Sequence, residues 1–273
     1  MSAPWDELRA AYEGLEGSFP DRTARDDYRL AMLAKTEAQA DFLQPLLAQA
    51  SMLEVGCGNG RLLIELARRG CLLKGKGIDI AESRIAFARE WSADLGLASL
   101  QFEAEDALRV EWPFDVYDAI VCITGAFAYF ETIEAGSARA LLQRWLRTLR
   151  PGGLLVLELY PHPEVVRLLD VAGETIRLWQ ELPPDDPWRF YLSEIRLHDG
   201  ILVHDKTFIH RVTGEIDSGR RERLRLYSAQ ELRELLTTVG LTEVALHHGW
   251  SSARYVGEEV MVVTARRAAQ APG

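Results

Sequence analysis

The chain has 273 residues, 48% hydrophobic and 26% charged, and a formal net charge of −10. That size fits one large domain, or one domain carrying an insertion, and the composition sets disorder aside except at the ends. No basic block exceeds a pair such as Arg220-Arg221, so the phosphate-gripping stripe of a nucleic-acid binder is missing and DNA or RNA is not an expected partner.

Cys57, Cys71 and Cys122 stand at no metal spacing and read as packed, reduced thiols. The opening MSAPWDELRAAYEGLE carries acids and no long apolar core, and no run approaches the ~18 apolar residues of a membrane span. Neither a signal peptide nor a membrane partner is expected, and the expected location is the cytoplasm.

Residues 1–50 are expected to be helical, as packing or as a lid. Trp5, Leu8, Tyr12 and Leu15 repeat at helical spacing, SFPDR interrupts, and a second helical stretch runs from about Asp26 through Tyr28, Met32 and Phe42 towards Pro45. Over 51–160 the pattern alternates: strand MLEV, a glycine loop, helix RLLIELARRG, strand KGKGIDI, helix SRIAFAREWSADLG, a strand near Gln101, strand YDAIVCI, helix SARALLQRWLRTL and strand LLVLELY. Apolar strands separated by helices predict an α/β fold whose parallel sheet is doubly wound, with helices on both faces. Over 161–226 the period changes to two, with Asp199-Gly200 and Thr213-Gly214 as turns, which predicts an inserted antiparallel cap. A capping box at Ser228 and Glu231, a helix ending at Gly240 and two strands complete the core over 227–267, and 268–273 form a tail.

The stretch LEVGCGNGR places Gly56, Gly58 and Gly60 between a strand and a helix, a turn that brings backbone N–H groups close to a ligand. It lacks the Gly-Lys-Ser/Thr of a phosphate loop, and it has one residue before its third glycine where the dinucleotide fingerprint has two. Asp79 ends the next strand, where a carboxylate accepts from both hydroxyls of a ribose, and Asp106 follows the third strand, within reach of an adenine amine. With Glu54 these acids repel a pyrophosphate more than a nucleoside carrying a sulfonium, while the helix N-terminus beyond Gly60 can receive a carboxylate. S-adenosylmethionine (SAM) combines those features.

In order and spacing, LEVGCGNGR, GIDIAESRI, EDAL, YDAIVCI and LRPGGLLVLELY resemble the motifs of the class I SAM-dependent methyltransferases, in particular the small-molecule group that acts on glycine, sarcosine and natural products. The resemblance implies a Rossmann-like seven-stranded sheet with its last strand antiparallel, SAM as cofactor and S-adenosylhomocysteine as product. It also implies that Gly56, Cys57, Gly58 and Gly60 face the methionine moiety, with Glu54 shaping the loop. The resemblance further implies that Asp79 holds the ribose, Ile80 packs on adenine, Asp106 and Ala107 read its amine, and Ile123 borders the methionine end.

CITGAFAYF replaces the Asn/Asp-Pro-Pro-Tyr of amine and amide methylases of DNA and protein, so a small-molecule acceptor is expected, bound beneath the cap. Thr124, Gly125, Ala126 and Tyr129 depart from the Gly-Asn-Ser pattern of glycine-type enzymes, which leaves the acceptor open. Tyr129, Tyr160, Tyr191, Arg211 and Trp250 are the substrate-binding candidates, with Trp179, Trp188 and Tyr227 as further aromatic lining. Tyr129, His162 and His210 are the catalytic candidates, the histidines as bases for a hydroxyl or carbon acceptor; an amine needs only to arrive unprotonated. His204 and His210 share one face of a strand but lack a third ligand, so no metal is expected. The expected reaction is one in-line displacement, much of its rate coming from positioning worth up to about 7–11 kcal/mol. Methylation of protein or RNA, a non-catalytic SAM-binding module and an NAD dehydrogenase are the alternatives.

Overall fold

The computed structural model describes residues 3–13, 16, 19–160, 166, 167, 169, 173, 175–184 and 186–269. Leu15, His162 and the end of the tail lie outside these. Helices α1 (Ala3–Tyr12), α2 (Arg22–Ala34) and α3 (Glu37–Leu43), followed by a 3-10 turn at Gln44–Leu46, precede the sheet. The helical stretch expected from Asp26 to Pro45 is thus two helices. Thr36 separates them: its hydroxyl donates to the Met32 carbonyl at 2.7 Å, four residues back, and accepts from Arg61 at 2.7 Å. Such back-bonding competes with the helix.

β1 (Ala50–Val55), α4 (Arg61–Arg68), β2 (Leu72–Asp79), α5 (Glu82–Asp94), β3 (Leu100–Ala104), β4 (Tyr117–Cys122), α6 (Phe127–Ile133), α7 (Ser137–Thr148) and β5 (Leu149–Leu159) follow in chain order. Of these, only α6 is absent from the sequence reading; its seven residues are too short for a helical period to show. The sheet order is β3-β2-β1-β4-β5-β11-β10, where β10 is Leu241–His248 and β11 is Met261–Arg267. β1 to β5 pair in parallel, and β11 runs antiparallel to both β5 and β10.

Every residue of β1 is buried, as a central parallel strand covered on both faces requires. Successive residues feed opposite cores. Leu53 and Val55 join Ile120, Phe127 and Trp145 on one side; Met52 joins Leu62, Ile85, Trp91 and Val121 on the other. The last helix, α8 (Ala229–Thr238), begins in the expected capping box: Glu231 N donates to Ser228 Oγ at 3.2 Å and Ser228 N to the Glu231 carboxylate at 2.8 Å. Ser228→Ala is expected to cost about 1 kcal/mol, read as a lower urea midpoint with unchanged slope.

The cap is a separate antiparallel sheet in the order β6-β7-β8-β9: β6 (Thr175–Glu181), β7 (Trp188–His198), β8 (Ile201–His210) and β9 (Ile216–Arg225). Asp199 and Gly200, with φ of 49° and 73°, make the two-residue hairpin turn. β6 escaped the sequence reading because only Ile176 of its seven residues is buried, which leaves little alternation to detect. Leu202, Leu224 and Leu226 seat the cap on Ala128 and Tyr129 of α6. Among the described residues no helix is long and apolar enough to cross a membrane.

Candidate cofactor and acceptor site

Strand order reverses between β1 and β4, and in a doubly wound sheet the crevice beyond the carboxyl ends of two such strands is where ligands bind. The glycine loop leaves β1 there. Gly56, Gly58 and Gly60 have φ of +73°, +53° and +76°, and a Cβ on Gly56 would stand 2.7 Å from that of Ala126. Side chains are excluded at Gly56 by conformation and by space. Gly56 N and Cys57 N donate to Ile78 O at 2.8 and 3.0 Å, Gly60 N donates to Cys57 O at 3.0 Å, and Gly58 N donates to Asp79 Oδ2 at 2.8 Å. All four amides therefore fasten the loop to β2 and to itself.

Behind the loop the Glu54 side chain is buried and its Oε2 has no hydrogen-bond partner. Burial, outweighing Arg61, pushes its carboxyl up to about 8. Cys57 faces Gly77 rather than the crevice, and burial holds its thiol well above the ordinary range.

The crevice is a largely apolar cavity of about 120 Å³ that opens to solvent. Of the residues singled out from sequence, Gly56, Asp79, Ile80, Ala107, Ile123 and Tyr129 line it. Glu54, Cys57, Gly58, Gly60 and Asp106 do not line it. Asp79 accepts from Ala81 N at 3.0 Å as well as from Gly58 N, and each oxygen keeps a second lone pair. Asp106 accepts from Leu108 N at 2.8 Å and from the indole N–H of Trp5.

Trp5, Leu8 and Tyr12 of α1 form the facing wall, with Arg84 and Phe130 beside them. Their helical spacing is visible in the sequence, but periodicity alone does not distinguish a packing face from a cavity wall. Arg84 is held by Glu16 at 3.1 Å; the Glu16 carboxylate also accepts from Tyr28 at 2.9 Å and Asn59 at 3.2 Å. Nothing in the sequence pairs Glu16 with Arg84, 68 positions apart.

Tyr129 and Tyr12 share a hydrogen bond of 2.8 Å between hydroxyls. Burial first, then Tyr12 and Glu222, raise the Tyr129 pKa, so its phenol is protonated at neutral pH. Tyr160 packs on Gly125, and Tyr191 lies in the cap with its hydroxyl 2.9 Å from His204 Nε2.

Tyr160, Tyr191 and the remaining described candidates do not line the crevice. His210 Nδ1 accepts from the amides of Val212 and Thr213 at 3.3 and 3.2 Å, stabilising the β8–β9 turn. Arg211 donates to the carbonyls of Leu182 and Asp186 at 2.9 and 3.0 Å, tying down the β6–β7 loop. Trp250 packs edge-on against Phe42, 5.6 Å between centroids, beside the outer strands of the main sheet. Trp179 is exposed, Trp188 stacks with Phe208, and Tyr227 is core against Phe127. His204 and His210, six positions apart on β8, are about 20 Å apart along the strand. Among the described residues no cluster of three or more His, Cys, Asp or Glu is placed to hold a metal ion.

A glycine bend at the switch point, acids at the ends of the next two strands and an apolar crevice between them define a nucleoside-binding domain of the methyltransferase kind. Residues 52–153 match the family model of a methyltransferase domain, and the sheet that contains them has the fold of the class I SAM-dependent methyltransferases, enzymes whose cofactor is SAM. The demethylmenaquinone methyltransferase of Deinococcus radiodurans is 36% identical over 112 residues, 41% of this chain and 44% of that protein. The matched stretch spans about half the length of the curated relatives. Two solved structures share the fold. The CcbJ methyltransferase of Streptomyces caelestis is 18% identical, with a TM-score of 0.72, over 98% of this chain and 99% of that one. SAM-bound CalS10, an amino pentose methyltransferase of Micromonospora echinaspora, is 20% identical, with a TM-score of 0.64, over 92% and 98%.

The residues present fit SAM. The crevice joins the free lone pairs of Asp79, for ribose hydroxyls, to the apolar Ile80, Ala107 and Phe130, for a base. The bend at Gly56 admits no side chain that would fill the space.

Proposed function

We propose that this chain transfers a methyl group from SAM to N, O or C of a small-molecule metabolite by in-line displacement, in the cytoplasm. The reading rests on one observation: a single crevice runs from Asp79 and Gly56 to the paired hydroxyls of Tyr129 and Tyr12, at the seam between core and cap. When bound, SAM supplies an electrophilic methyl group on a sulfonium that departs as a neutral thioether.

The chain's own part is binding, orientation and exclusion of water. Asp79 anchors the ribose, Ile80 and Ala107 sandwich the base, and Tyr129, kept protonated by burial, positions the acceptor through its hydroxyl. α1 acts as the lid of residues 1–50: Trp5 already bonds the carboxylate of Asp106 that reads the adenine amine, so α1 must shift as the nucleoside enters. Holding the acceptor in a near-attack geometry behind that lid supplies most of the rate.

Isothermal calorimetry with SAM and S-adenosylhomocysteine, followed by incubation of methyl-labelled SAM with fractionated metabolites, tests the reading. Binding of both nucleosides and label in a small-molecule fraction are expected. Label confined to protein or RNA would replace it with macromolecular methylation, and binding without turnover on any fraction would leave a SAM-binding module. In the same titration the tryptophan emission of the wild type should change, and Trp5→Phe should remove most of that change if the lid moves.

A further inference from the structure

Among the described residues the non-glycine positions with positive φ are Gln49, Asp115, Thr124, Asp199 and Glu243. Thr124, at φ +56°, is the β-branched one, and it alone of these lines the cofactor crevice. A branched Cβ in the left-handed region is crowded by the neighbouring backbone, and such a conformation persists only where the surroundings over-determine it.

The surroundings of Thr124 do so from three directions. Ile123 O accepts from Ala126 N at 3.2 Å, closing a four-residue turn whose central residues, Thr124 and Gly125, both have positive φ. Turns of that hand favour Asn, Asp or Gly at the first central position, and threonine is disfavoured there. Glu158, near the end of β5, accepts from Thr124 N at 2.7 Å. Tyr160, two residues further on, places its ring where a side chain on Gly125 would stand, and the Cβ of Ala126 faces Gly56 of the glycine loop. β5 and the glycine loop thus clamp the turn between them. The Thr124 side chain is left exposed at the crevice wall, and its hydroxyl bonds to none of the described residues, so no internal contact offsets the strain.

The order of the strands fixes which part of a ligand meets this wall. With the base at Ala107, beyond β3, and the ribose at Asp79 of β2, the remainder of the nucleoside lies over β1 and reaches the end of β4, where Thr124 stands. In SAM that remainder carries the sulfonium and its methyl group.

We propose that the Thr124 side chain flanks the transferring methyl group, and that Glu158 is the positioning residue that holds it there in a strained turn. This rests on the methyltransferase reading and deepens it. Thr124 narrows the lane by which an acceptor approaches the methyl carbon, and the chain gives up stability to keep that side chain in place.

The test uses the full chain with ¹³C in its threonine methyl groups, saturated with [methyl-¹³C]SAM and followed by NMR; the Thr124 signal is the one missing from Thr124→Gly. A nuclear Overhauser contact between the bound SAM methyl and the Thr124 methyl is expected. Glu158→Leu should still bind SAM but lose that contact, and Glu158→Gln should keep it, because its amide oxygen still accepts from Thr124 N. Without ligand, Thr124→Asn, a residue that tolerates the left-handed region, is expected to melt about 2–4 °C above wild type. SAM bound by the wild type without the contact, or a Thr124→Asn melt at or below wild type, would overturn the proposal. A contact unchanged in Glu158→Leu, or loss of folding or of SAM binding in that variant, would strip Glu158 of its positioning role. Failure of the wild type to bind SAM would overturn the methyltransferase reading instead, and the melts judge the strained turn by itself.

Discussion

Asp79→Ala is expected to abolish measurable SAM binding while leaving a folded protein. The carboxylate stands at the end of β2 with one oxygen on Gly58 N at 2.8 Å and the other on Ala81 N at 3.0 Å. It therefore does two things: it pins the middle of the glycine bend and presents its remaining lone pairs to the crevice. Charge-assisted hydrogen bonds are worth roughly 1.5–3 kcal/mol each, so losing two to a ribose weakens binding by at least about a hundredfold. Release of Gly58 adds to the loss, because the bend is then free to leave the conformation that shapes the crevice. Calorimetry at matched protein concentration, beside a thermal melt confirming cooperative unfolding, checks it. Affinity within tenfold of wild type would remove Asp79 from the binding group.

Glu54→Gln is expected to flatten the pH dependence of stability. Glu54 is wholly enclosed behind the glycine loop, and burial lifts its carboxyl from 4.5 to about 8 in the folded chain. The folded state therefore holds a proton that the unfolded state has released at every pH between those values. The favourable contribution is fully present below 4.5 and is lost progressively as the pH rises through 8. Carried across that interval, the loss is on the order of 5 kcal/mol, or roughly 10 °C in melting temperature for a chain of this size. A neutral amide in the same space does not titrate. Melting curves from pH 5 to 9 should fall steeply for the wild type and much less for Glu54→Gln, with the two lines crossing so that the variant is the more stable above pH 8. Parallel curves would show that Arg61, the opposing charge nearest in effect, neutralises the carboxylate in place.

Much of the core was legible in the sequence because its signals are local. The Gly56-x-Gly58-x-Gly60 bend is written in residues that alone tolerate its backbone, and Ser228 with Glu231 announces α8 three residues apart. The capping hairpin was equally plain at Asp199-Gly200. Less was visible where the signal is short or long-range. α6 is two turns long, and β6 buries one residue.

The aromatic candidates divide for the same reason. Tyr129 and Trp250 look alike in the sequence, yet one lines the crevice and the other packs on Phe42 beside the outer strands. His210, a candidate base, spends its ring nitrogen on a turn.

By itself the sequence determined the order of the elements, the glycine bend, the two acids that follow it and hence the kind of nucleoside the domain takes, because each of these depends on residues a few positions apart. Only the tertiary structure decided which side chains meet across the seam: Trp5 with Asp106, Glu16 with Arg84, and Tyr129 of α6 with Tyr12 of α1 and Leu224 of the cap. Those meetings join residues tens to hundreds of positions apart, and the geometry that unites them is set by how the cap and the first helix pack on the sheet, which no local pattern encodes.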